Sequence, residues 1–302
     1  LTVYVISPGM SRVGALVAPA PTAIQDPPLG AGHAVLAARH ALDGFSGDVL
    51  MLFGDTPLLT PATLRAMVEA RRAASDPAVV VLGFRPADPG EYGRLVTGAD
   101  GELESIVEFR DASEAERAIG LCNAGIMAAD SERLFSLLDA VGNDNAKGEY
   151  YLTDIIAIAR SCGEGCAVVE VADADEVMGV NGRADLAAAE AVAQRRLRAA
   201  AMAAGATLTD PETVWFSHDT VLGRDVVIGP NVVFGTGVTV GDNVEIRAFS
   251  HIDGATVDDG ALIGPFARLR PGARIGRDAH IGNFVEIKEA LIETGAKINH
   301  LS

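Results

Sequence analysis

The sequence predicts a Rossmann-like α/β domain with a mostly parallel sheet, followed by a parallel β-helix of hexapeptide repeats. Three features carry that expectation. Short apolar runs alternate with capped helical segments through the first 181 residues, an alanine-rich stretch follows, and from residue 222 a large aliphatic side chain recurs at nearly every sixth position.

In chain order, residues 1–7 (LTVYVIS) read as a buried strand, without the Met, charged n-region or cleavage pattern of a signal peptide. Residues 49–53 (VLMLF) form a continuously apolar run that stops at Gly54-Asp55. Such a run suits a strand covered on both faces of a mostly parallel sheet. Thr60 offers an N-cap and Pro61 a first helical residue, opening a helix through about residue 74. Residues 79–84 (VVVLGF) are the next buried strand, and 131–141 (SERLFSLLDAV) an amphipathic helix with a Ser cap. Strands alternating with helices imply a doubly wound domain.

Between 184 and 204 stand eleven alanines, closed by Gly205. High helix propensity and a terminal Gly mark one helix. Its apolar face is mostly Ala and has little area to bury, which favours an arm between domains over a calmodulin- or membrane-binding helix. The expected division is a first domain at 1–181, a linker helix at 182–205 and a β-helix at 206–302.

In the last part, Leu222, Ile228, Phe234, Val240, Ile246 and Ile252 lie six residues apart. After a step of five, Val257, Ile263, Leu269, Ile275, Ile281 and Ile287 resume the period, and another step of five leads to Ile292 and Ile298. Small or β-branched residues stand two positions earlier, and Gly often follows. Self-similarity at fixed period identifies a solenoid. One large inward aliphatic per six residues fits a three-sided prism with one short strand on each face.

A hydrophobic share of 49% with 22% charged residues excludes intrinsic disorder. With 24 basic and 41 acidic residues the net charge is −17, which argues against nucleic acid or anionic lipid as partner. No stretch approaches the ~18 consecutive apolar residues of a membrane span. The cysteines Cys122, Cys162 and Cys166 make no disulfide framework and point to a reducing, cytoplasmic setting. Cys162 and Cys166 bracket Gly-Glu-Gly without a nearby His, too few ligands for structural zinc.

Ligands of open α/β sheets bind where strands end at their carboxyl edge, and Asp55 stands there. It either begins a turn or holds Mg²⁺ against the phosphates of a nucleotide, since Mg²⁺ takes few carboxylates and completes its shell with substrate oxygens. In the repeats Arg268, Arg270 and Arg274 cluster around Pro271-Gly272. Arg270 and Lys288 are eighteen apart, about one full coil, and therefore stack on one edge. They are solvated charges or a pair that grips a phosphate. His300 lies twelve beyond Lys288, across a five-residue step. It is a surface residue or, beside such a pair, a general base for an amine or hydroxyl.

The stretches LGAGHAV (29–35), LMLFGDTPLL (50–59), YGRLV (92–96), IVEFRDAS (106–113), CNAGIM (122–127), NDNAKGEYYLTDI (143–155), GVNGR (179–183), GPFARLRPGA (264–273), GNFVEIKEA (282–290) and KINHLS (297–302) cover nearly the whole chain. Together, and in this order, they resemble the bacterial bifunctional N-acetylglucosamine-1-phosphate uridylyltransferase/glucosamine-1-phosphate acetyltransferases. The resemblance implies an α/β nucleotidyltransferase domain, a helical arm and a left-handed parallel β-helix. It implies acetyl transfer from acetyl-CoA to glucosamine-1-phosphate in the β-helix domain. The product is then coupled to UTP with Mg²⁺ in the first domain, releasing pyrophosphate and giving UDP-N-acetylglucosamine for cell-wall precursors.

Carried over by motif, Asp55 and Asn181 would be the Mg²⁺ ligands. Gln25 and Gly30 would meet the uracil, beside Ala31, where the family usually has Thr. Gly93, Glu108 and Asn123 would hold the sugar, Arg270 and Lys288 the phosphate of the second substrate, and His300 would take a proton from the attacking amine. Phe53 and Ala124 stand where the family often has Tyr and Thr. A homotrimer with sites between neighbours is implied. The family's Gly-rich loop with its Arg and Lys would lie before Leu1, and the coils that bind acetyl-CoA after Ser302. The chain thus reads as an internal piece of a longer protein, expected to have neither activity alone. The alternatives are an ADP- or dTDP-sugar pyrophosphorylase with a β-helix tail, or a non-catalytic scaffold subunit.

Overall fold

The computed structural model describes residues 1–99, 101–145 and 147–302. These fall into two compact units, Leu1–Gly182 and Arg183–Ser302.

The first unit opens with β1 (Tyr4–Ile6), α1 (Ser11–Val17) and β2 (Thr22–Ile24), and β1 and β2 pair in parallel. Then come α2 (Ala31–Ala37), β3 (Asp48–Met51), α3 (Pro61–Arg71), β4 (Val79–Phe84), β5 (Arg94–Thr97), β6 (Leu103–Val107), the single turn α4 (Glu114–Arg117), β7 (Cys122–Asp130), α5 (Ser131–Asp139), α6 (Asp154–Ser161) and β8 (Cys166–Glu170). In the six-stranded sheet β4 and β8 are parallel, whereas β7 runs antiparallel to β3, β4 and β5, and β6 antiparallel to β5. Hence β3, β4, β5 and β8 point one way, with β7 inserted against them.

Alternation along β4 feeds two cores, because successive strand side chains point to opposite faces. Val79 and Val81 join Leu134 and Leu138 of α5 and Ile155 and Ile156 of α6. Val80, Leu82 and Phe84 join Met67 of α3 on the other face. Each such burial stabilises by roughly 1.5–3 kcal/mol. α3 starts as its sequence predicts, with Thr60 Oγ1 accepting from the Thr63 N–H at 3.3 Å. α5 differs from expectation, because its cap is Asp130, whose carboxylate accepts from the N–H groups of Glu132 and Arg133. The strand expected over 49–53 stops at Met51, and Leu52 and Phe53 are exposed. The buried strand expected over 1–7 shrinks to β1, which leaves Leu1 and Tyr4 exposed and pairs only with β2 among the described residues.

The second unit begins with α7 (Arg183–Ala203), followed by two-residue strands that build three parallel sheets of five, six and four strands. The ladder joins each strand to the one a full coil away, as in Phe234↔Ile252, Ile252↔Leu269 and Leu269↔Ile287. The large inward residues form one core with the small ones two positions earlier. Gln194 of α7 ties the helix to the first coil, donating to Phe216 O at 2.7 Å and accepting from the Phe216 N–H at 2.9 Å.

One corner of the prism carries residues at positive φ in five successive coils: Asn231, Phe249, Phe266, Phe284 and Leu301. The three Phe rings are exposed and stack with centroids 4.9 and 5.1 Å apart. The five-residue steps, Ile252 to Val257 and Ile287 to Ile292, fall at another single corner, and the neighbouring coils cross it in six, Phe234 to Val240 and Leu269 to Ile275. No helix among the described residues is long and apolar enough to cross a membrane.

Candidate functional site

In the first unit, the turn that opens α2 is pinned against residues 149–150. The Gly32 N–H donates to Tyr150 O at 2.9 Å and the Tyr150 N–H to Leu29 O at 2.8 Å. Gly30 sits at φ +96, and a Cβ there would lie 2.8 Å from Tyr150 O. Only glycine permits that approach. Gln25, buried just past β2, donates from Nε2 to Gly30 O at 2.9 Å. Gln25, Gly30 and Ala31 therefore lie around one turn.

Gly93, Glu108 and Asn123 are also brought together. A Cβ on Gly93 would lie 3.6 Å from both Glu108 carboxylate oxygens. The Asn123 N–H donates to Gly93 O at 2.8 Å, and Asn123 Oδ1 accepts from the Gly125 N–H at 2.9 Å. The loop bearing Gly93 is held by the buried Arg94, which donates to the carbonyls of Pro89, Gly90, Tyr92 and Arg117. A cavity of about 230 Å³ is lined by Ala31, Phe53, Glu108, Asn123, Glu149 and Tyr151, among others, and so joins the two groups of residues. A second cavity of about 320 Å³ shares Glu108 and Tyr151 and adds Arg110, Asp111 and Lys147. Burial pushes the Glu108 carboxyl above its ordinary range, with Asp111 reinforcing the shift and Lys147 opposing it. A few convergent polar groups in a concave, largely apolar pocket suit a small polar ligand.

Asp55 follows β3, and its backbone oxygen accepts from the Val180 N–H at 2.8 Å. A Cβ on Gly179 would lie 3.7 Å from Asn181 Nδ2 and 4.0 Å from Asp55 Oδ2, so the two side chains flank one point. The exposed Asp55 carboxylate makes no ion pair or hydrogen bond with the described residues. One open carboxylate and one amide oxygen fit a hard divalent cation whose remaining ligands are phosphate oxygens and water. No cluster of three or more His, Cys, Asp or Glu side chains suits a metal among the described residues.

In the second unit the register Leu269↔Ile287 puts Arg270 and Lys288 at equivalent positions of successive coils. Lys288 is exposed and Arg270 half-buried, and each has an acidic neighbour: Arg270 pairs with Glu286 at 3.0 Å and Lys288 with Glu289 at 3.6 Å. His300 is aligned with Asn283 by the pairing Ile281↔Ile298. It precedes the face that Arg270 and Lys288 follow, so the chain places them at opposite ends of that face.

The sequence reading assigned no role to several residues that line the first cavity, namely Glu149, Tyr151 and Thr153. Their signal was the GEYYLT stretch itself, a cluster of polar and aromatic side chains between two elements. Glu286, the partner of Arg270, was marked by standing eighteen residues from Arg268.

The family of bacterial transferase hexapeptides (six repeats) matches residues 219–254 and 254–289, in keeping with a left-handed β-helix. A "Bifunctional protein GlmU" from Rhodospirillum rubrum is 66% identical over 223 residues, 74% of this chain and 50% of that protein. The protein of the same name from Paramagnetospirillum magneticum is 62% identical over 300 residues, 99% of this chain and 66% of that protein. That from Maricaulis maris is 67% identical over 281 residues, 93% of this chain and 62% of that protein. The chain thus spans half to two thirds of the length of these relatives. Identity at this level, over 93–99% of the chain and so through both units, makes the chain a member of the GlmU family.

Proposed function

We propose that the protein to which this chain belongs makes UDP-N-acetylglucosamine in two steps. The β-helix domain (206–302) takes part in acetyl transfer from acetyl-CoA to glucosamine-1-phosphate. The α/β domain (1–181) takes part in uridylyl transfer from UTP to N-acetylglucosamine-1-phosphate, and the helix at 182–205 links them. The observation that carries the reading is the single cavity on which Ala31, Glu108 and Asn123 converge, with Gly30, held by Gln25, next in the chain to Ala31.

In this reading Gln25 and Gly30 meet the uracil, and Ala31 leaves that edge without a hydroxyl. Gly93, Glu108 and Asn123 orient the sugar, and Arg94 keeps their loop in place. Asp55 and Asn181 would hold Mg²⁺, which when bound neutralises phosphate charge. Arg270 and Lys288 bind the phosphate of glucosamine-1-phosphate as charge-assisted donors. His300 accepts the proton of the attacking amine. A homotrimer supports that chemistry, since His300 and the Arg270–Lys288 pair are at opposite ends of one face within a chain. The exposed Phe249–Phe266–Phe284 ladder supplies apolar surface for association.

Calorimetric titration tests the reading. With Mg²⁺ present the chain is expected to bind UTP tighter than ATP or dTTP, and Asp55→Ala to weaken UTP about tenfold or more, as loss of a charged metal ligand should. Tighter binding of ATP or dTTP would favour a pyrophosphorylase of another sugar nucleotide and sink the uridine assignment.

A further inference from the structure

His33 is absorbed by none of the roles above, yet it touches the residue that would read the base. It lies in the first turn of α2, and its Nδ1 is 3.3 Å from Gln25 Nε2. The same Nε2 donates to Gly30 O at 2.9 Å. A carbonyl oxygen only accepts, so the amide nitrogen of Gln25 must face Gly30, and its second proton then points at His33. For that proton to be accepted, Nδ1 must be bare, which selects the neutral imidazole with its proton on Nε2. The ring is steadied by stacking on Tyr150, with centroids 6.0 Å apart and planes 29° apart. Tyr150 in turn is fixed by its two backbone hydrogen bonds to the 29–32 turn. With both amide protons used, Gln25 Oε1 is left without a partner among the described residues.

We propose that His33 is a positioning residue that sets nucleobase choice by locking the Gln25 amide with its oxygen toward the ligand. The inference rests on the reading that Gln25 meets the base. An outward oxygen accepts the N3–H of uracil. Cytosine has a bare N3 and would need the amide turned over. Without His33 the amide loses one of its two anchors, and the turned-over state becomes accessible.

The test compares UTP and CTP binding by calorimetry, with Mg²⁺, for the wild-type chain, His33→Phe and His33→Asn. Phe keeps an aromatic face for Tyr150 but offers no acceptor, whereas Asn Oδ1 restores one near the place of Nδ1. The expected result is a UTP preference in the wild type that falls about tenfold in His33→Phe, through weaker UTP and tighter CTP binding, and returns in His33→Asn. One hydrogen bond of ordinary strength corresponds to about that factor. A His33→Phe variant that keeps the wild-type ratio, or loses both nucleotides equally, overturns the inference. A wild type without UTP preference overturns the base-reading role of Gln25 itself. Nitrogen NMR of the wild-type chain tests the same lock without a variant: a bare Nδ1 on neutral His33 is expected, and a proton on Nδ1 refutes it.

Discussion

Glu108 is a half-buried carboxylate whose environment works against its charge. Desolvation raises its folded-state value above the unfolded one, so ionisation costs stability. That cost is absent below the unfolded carboxylate range and grows as pH rises through the folded value. Glu108→Gln is therefore expected to be more stable than the wild type at pH 7, with the difference fading by pH 3. On the proposed function, the same substitution should also weaken N-acetylglucosamine-1-phosphate binding. Urea unfolding at the two pH values checks the first part, and a wild type that is the more stable protein at pH 7 contradicts it. The family resemblance placed Gly93, Glu108 and Asn123 in one site but was silent on that energetic tension, which arises from burial that no motif records. Gly30 is the reverse case. At φ +96 and ψ 174 it occupies a region only glycine enters cheaply, and a glycine before a helix hints at such a turn.

Gln194 illustrates a contact between elements that the sequence hides. In an alanine-rich helix a lone Gln looks like solvent-facing filler, yet it is buried and pairs with both backbone groups of Phe216. Gln194→Leu leaves that buried N–H and C=O unpaired and is expected to destabilise the β-helix unit by ~2–3 kcal/mol. Equilibrium urea unfolding followed by circular dichroism measures it, and a change within error would show that water replaces the side chain. β4 was legible as a buried strand because a short, β-branched apolar run has few other fates. Its division between two cores was not, since a continuous apolar run has no visible period. The cap of α5 was misassigned by one residue, because Asp130 and Ser131 are both good capping types and only geometry chooses between them.

In the whole molecule, the β-helix is the part most fully written in the sequence, because each coil repeats one rule and contacts mainly its neighbours. Ile263 is fully buried between Ile246 and Ile281. Ile263→Ala should cost ~2–5 kcal/mol, and Ile298→Ala, at a partly buried position, clearly less. Equal losses at the two sites would mean that stability is not summed coil by coil. What the period could not supply was the decoration of the walls, such as the Arg270–Glu286 pair, which depends on outward side chains free to choose partners. The corner that is crossed in five residues on some coils and in six on their neighbours also has a genetic meaning. Because backbone pairing recounts each coil, adding or removing a single codon there shifts no later strand out of phase. Both lengths already occur at that corner, and the strands after it keep their pairing in either case.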